Sequence, residues 1–167
     1  MRSFDLWANR ISAALAFLAA ALLLGAILVI SWMVAVRALG FKNYWELETS
    51  ITMMVAAVFL GSPYTLASNG HVAMSLLSET LSARARTLVG LIGEVIGLAV
   101  CIYLTMLGFQ LTLTAYLSGE RVLGFYQPRL WPTYLSLPVG MAATSLQYLV
   151  KIRQTLVSLS WIQSSND

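Results

Sequence analysis

The chain is poor in almost everything that soluble chemistry uses. Charged residues fill 10% of its 167 positions, against about 25% in an ordinary soluble domain. A single cysteine, Cys101, excludes an intramolecular disulfide and any CxxC metal or redox motif. A single histidine, His71, excludes a haem clamped by two histidines of the same chain. No nucleophile–base pair, phosphate loop, zinc spacing or carboxylate dyad can be read along it, and a membrane enzyme needs several polar groups converging at one depth. An enzyme, a metal site and a bound cofactor are therefore not expected. No basic cluster stands apart from the flanks of the apolar runs. The net charge of +3 then reads as membrane topology, and nucleic acid is not an expected partner.

What remains is apolar. Hydrophobic residues make up 59% of the chain and the mean hydropathy is +0.78. These values fit a polytopic all-α membrane protein forming a single membrane domain over 1–167. The organising stretch runs from Trp45 to Met74, with acids at one end and His71 at the other. Between them, Thr49 to Ala67 carries no ionised side chain. About 20 helical residues at 1.5 Å each cross a hydrocarbon core of about 30 Å. This is helix 2, about 44–67.

Helix 1, about 11–36, precedes it. The run from Ile11 to Val36 is uncharged and ends at Arg37. It is longer than the roughly 7–15 residue core of a cleaved signal peptide. Asn43, three positions before Glu46, has the spacing of a capping box, and Glu46 and Glu48 sit where the helix dipole favours negative charge. Capping alone would account for these acids; an exposed acidic edge for a partner is the other reading. Pro63 is expected to kink helix 2 or loosen its last turn.

After Ser68-Asn69-Gly70, which suits a helix stop, Val72, Leu76, Leu77 and Leu81 alternate with Ser75, Ser78 and Glu79. The spacing predicts a short amphipathic interfacial helix at about 72–82, between helices 2 and 3. His71 beside Gly70 reads as a cap or headgroup contact. Helix 3, about 88–117, is longer than the hydrocarbon core and must tilt or project. One face of it is small and polar, with Gly90, Gly93, Glu94, Gly97, Cys101, Thr105, Gly108, Thr112 and Ala115. Gly93 and Gly97 form a GxxxG pair that admits a close helix, and Glu94 lies among them. Facing lipid, its carboxylate would cost several kcal/mol. A structural bond to Gln147, Tyr148 or Lys151 is the leading expectation; a partner contact and proton coupling are the others. Helix 4, about 131–150, opens at Trp131-Pro132 and holds Pro138 and Gly140, which are expected to bend it.

Several blocks together resemble the small integral-membrane subunit of tripartite ATP-independent periplasmic (TRAP) transporters, the DctQ-type family. They are Arg37; Trp45 with Glu46 and Glu48; Phe59-Leu60-Gly61; Gly70-His71-Val72-Ala73-Met74; and Pro138-Val139-Gly140. Their order and spacing match over nearly the whole chain. Two positions depart: Leu47 stands where a family glutamate is common, and Ser75 where aspartate is usual. The resemblance implies a scaffold for a large permease subunit, with a periplasmic substrate-binding protein as the third component. It further implies sodium-driven uptake of organic acids, with substrate and ion sites in the large subunit. It places the chain in a bacterial inner membrane. The candidate structural or partner-interface residues are Arg37, Trp45, Glu46, Glu48, Gly61, Gly70, His71, Gly93, Glu94, Gly97, Pro138 and Gly140. Two rival classes stand beside this one. One is a small homodimeric four-helix proton-coupled antiporter using Glu94. The other is a quinone-linked redox subunit.

Counting Lys and Arg orients the chain. Arg2, Arg10, Arg84, Arg86, Lys151 and Arg153 share one side, against Arg37, Lys42, Arg121 and Arg129 on the other. The majority side, with both termini, is expected to be cytoplasmic. Cysteines substituted at 42 and 121 should react with an impermeant thiol reagent added outside, and one at 84 should not. The reverse pattern would invert the topology.

Overall fold

A computed structural model describes residues 2–41, 45–68, 83–122 and 127–164, with side chains over 5–41, 45–68, 87–122 and 127–157. The fold is all-helical: α1 (Arg2–Ala38), α2 (Trp45–Ser68), α3 (Ala83–Ser118) and α4 (Trp131–Ser164). The segment expected to form the interfacial helix, with Gly70 and His71, lies outside the described residues, as does Asn43.

Three helices run further than their apolar cores suggested. α1 has 37 residues, α3 36 and α4 34. Each spans roughly 50–55 Å at helical rise, so each extends beyond a hydrocarbon core. The largest difference is in α4, expected to end near 150. No glycine or proline follows Gly140 to stop it, and two side-chain bonds at Arg153 and Thr155 hold the stretch just past residue 150 to α1 and α3. α2 continues through Pro63 and α4 through Pro138.

The helix ends are made by local chemistry. At the end of α1, Gly40 has φ 86°. The Gly40 N–H donates to the Arg37 carbonyl at 3.0 Å, and the Phe41 N–H to Val36 at 3.2 Å. Both bonds of a Schellman stop are present. At the end of α3, Gly119 has φ 65°, and the Glu120 N–H donates back to the Ala115 carbonyl at 3.2 Å.

Consecutive helices run antiparallel, but they do not close into a square bundle. α2 and α4 form the centre and lie parallel, with α1 against α2 and α3 against α4. α1 also reaches α4 near the end that holds both termini. The α1–α2 core is built from Ala19, Ala57 and Leu60, with Leu15 and Leu22 beside them. Lipid is as apolar as leucine, so in a membrane such contacts hold by close packing and not by escape from water.

Three described helices are long and apolar enough to cross a membrane: Asp5–Ala38, Trp45–Ser68 and Thr87–Ser118. α4 is not among them. Its buried residues explain why: Ser136, Thr144, Gln147 and Thr155 all face protein, so its mean hydropathy understates how apolar its outer surface is.

The centre depends on one close approach. A Cβ added to Gly140 would strike the Phe59 carbonyl of α2. One added at Gly93 would meet nothing within 4 Å. Gly140→Ala should therefore destabilise the protein by about 1–3 kcal/mol, while Gly93→Ala should stay within about 0.5 kcal/mol of the parent. Thermal unfolding in detergent, followed by size-exclusion, measures both. Equal stability of the two variants would show that the α2–α4 contact is loose.

Candidate functional site

The polar residues of α4 are divided among its neighbours. Toward α1, the Gln147 amide nitrogen donates to Ser12 Oγ at 2.7 Å and to the Ala8 carbonyl at 3.1 Å, with Asn9 Oδ1 at 3.3 Å. Two N–H groups are thus shared among three acceptors. Gln147 is 2% exposed and Ser12 1%. One and a half turns on, Arg153 Nη2 pairs with Asp5 Oδ2 at 2.9 Å. Toward α2, the hydroxyls of Thr144 and Ser62 lie 3.3 Å apart, as do those of Thr133 and Thr52.

Toward α3 stands Glu94. Its Oε1 accepts from Thr155 Oγ1 at 3.2 Å, and its buried Oε2 has no donor among the described residues. Gln147, one of its expected partners, is engaged with α1 instead. The GxxxG pair is used at one position only. A Cβ on Gly97 would come within 2.5 Å of the Tyr148 ring, whereas Gly93 is open. Further along the same α3 face, Gly108 packs on Leu137 and Pro138. Cys101, Thr112 and Ala115 are buried there. This face is therefore filled by α4.

The acids of α2 do not form a surface edge. Glu46 is 1% exposed, and among the described residues neither of its carboxylate oxygens meets a hydrogen-bond donor. The reason is helical phase: Glu46, Ser50, Ala57 and Leu60 form one stripe, and that stripe is the inward face of α2. Glu48 is half-buried, with Oε2 also lacking a donor. Trp45 and Arg37 are exposed. Gly61 lies against Ala19, where a Cβ would sit 3.6 Å from the alanine methyl.

One face of the helical layer opens into a groove of roughly 1000 Å³ that crosses all four helices. Ala16, Ala20, Gly61, Cys101, Tyr148 and Lys151 are among its lining residues. The walls are small and mainly apolar, which is the surface chemistry that lets another membrane helix come close. Among the described residues, no three His, Cys, Asp or Glu side chains converge.

Sequence reasoning missed the Gln147–Ser12 clasp and the Asp5–Arg153 pair. The available signal was Gln147 itself, the one amide between Trp131 and Val150. Its target lay 135 positions away and left no local trace.

Comparison with known families finds a match. The family model for the DctQ component of tripartite ATP-independent periplasmic transporters covers residues 26–158. No curated protein and no solved structure matches the chain.

Gln147→Leu should keep the volume but remove the clasp, leaving Ser12 without its donor. The expected loss is roughly 0.5–2 kcal/mol, with Ser12→Ala adding little on top. A double-mutant cycle by thermal unfolding reads the coupling; strict additivity of the two substitutions would mean that the bond contributes nothing.

Proposed function

Because the chain belongs to the DctQ-component family of tripartite ATP-independent periplasmic transporters, we propose that it is the small membrane subunit that braces the large permease subunit of such a transporter. The family is a transporter component and not an enzyme family. The observation that carries the reading is the match itself, which takes in part of α1, the whole of α2 and α3, and most of α4.

Two structural features support a bracing role. The polar side chains of α4 are spent on holding α1, α2 and α3 in one layer. The groove that crosses this layer then offers a small-walled seat for a helix of the large subunit. In this reading all four helices cross a bacterial inner membrane with both termini in the cytoplasm, and residues 72–82 lie along its inner surface. The large subunit holds the substrate and sodium sites. A periplasmic binding protein delivers a carboxylated solute, and ion flux down the sodium gradient drives its uptake.

The test is reconstitution. Proteoliposomes with this chain, its large subunit, the binding protein and an inward sodium gradient should take up an organic acid; this chain alone should not. Glu94→Gln should keep most of the uptake, since the amide oxygen still accepts from Thr155. Glu94→Leu should lower the amount of assembled complex. Uptake by the isolated chain would sink the bracing role. Normal assembly with abolished ion-driven uptake in Glu94→Gln would put Glu94 on an ion pathway.

A further inference from the structure

Between α3 and α4 the backbone makes a single antiparallel bridge, Arg121 opposite Arg129. The Val122 N–H donates to the Pro128 carbonyl at 3.0 Å, and the Leu130 N–H to the Glu120 carbonyl at 3.1 Å. These two bonds flank the arginines, which makes them the non-hydrogen-bonded pair of the ladder. Such a pair has the closer approach, with Cα atoms about 4.5 Å apart and side chains on one face. Like charges directly opposite are destabilising. No acidic residue lies between positions 121 and 129. The acid nearest in sequence, Glu120, makes no ion pair with either arginine among the described residues. Among the described residues, neither arginine has an ion pair. Both are exposed.

The two arginines share a cleft with Tyr116, Leu117, Gly119 and Trp131. Tyr116 and Trp131 meet edge to face, with ring centroids 5.8 Å apart. They stand at the end of α3 and the start of α4, where paired aromatic side chains suit the water–lipid boundary. Leu117 beside them is 75% exposed. Two cations thus line the same cleft as an aromatic pair and an exposed leucine. A phosphate group would relieve the repulsion between the guanidiniums, each of which can engage two of its oxygens. The apolar wall asks for more than phosphate: it fits acyl chains running down α3. An acidic protein surface would use the arginines and leave that wall uncovered.

We propose that this cleft holds the headgroup of an anionic glycerophospholipid, with its phosphate between Arg121 and Arg129. The lipid fixes the turn between α3 and α4 at the bilayer surface, independently of which transporter the chain serves. The purified full chain, titrated in detergent and read by native mass spectrometry, should retain phosphatidylglycerol in preference to phosphatidylcholine. Arg121→Gln with Arg129→Gln should weaken that retention roughly thirtyfold, about fivefold for each charge. Arg37→Gln, an exposed arginine at the same end of the helices, should leave it unchanged. Independently of any arginine variant, phosphatidylglycerol brominated on its acyl chains should quench the fluorescence of Trp131, so that total quenching is smaller in Trp131→Phe. Three results would overturn the proposal. They are equal retention of the two lipids, undiminished phosphatidylglycerol in the double variant, and displacement of the lipid by inorganic phosphate, which would make the cleft a free-anion site.

Discussion

The contact between Gly140 and the Phe59 carbonyl is the constraint on which the rest of the structure rests. It brings two backbones together where any side chain would hold them apart. The helices so joined, α2 and α4, are parallel and not consecutive. α1 lies on the far side of α2 and α3 on the far side of α4. A layer results in place of a closed bundle, and a layer keeps two broad faces for lipid or protein. The groove across all four helices follows from that geometry.

Polar side chains hold the layer in register. Inside a hydrocarbon core an unmatched donor or acceptor has no water to turn to. Gln147 resolves this by reaching three acceptors on α1, and Glu94 by accepting from Thr155. Both bonds join segments that packing alone would leave free to slide. Their contribution is specificity of register as much as energy, since measured polar contacts in membranes average well below 2 kcal/mol. Glu46 is the extreme case: it is as buried as Ser12, yet among the described residues neither of its carboxylate oxygens meets a donor.

Shape and charge then separate the two ends of the layer. One end carries the termini, the Asp5–Arg153 pair, Glu94 and Lys151. The other carries the Schellman stop at Gly40, the buried Glu46 and the Arg121–Arg129 turn. At the first end Asp5 and Arg153 form an ion pair. At the second, neither Glu46 nor the two arginines form one among the described residues. The second end is thus where external chemistry has most to add.

By itself the sequence determined that the chain is all helix and which family its ordered blocks resemble. Those properties are local: apolar runs of fixed length, a proline at a first turn, a glycine after a last one. Helical phase also marked the small face of α3, because Gly97, Cys101, Gly108 and Ala115 recur at the right spacing. Tertiary structure decided the rest. Neither Gly93 nor Gly97 announces which of them will meet Tyr148. Glu46 has the same local sequence signature whether its stripe faces water or protein, and only the placement of α2 turned it inward. The reach of α4 past Lys151 was hidden because its polar residues resemble a tail until α1 and α3 supply Asp5 and Glu94. A contact between residues 12 and 147 is set by where whole helices cross, and no window of sequence contains both.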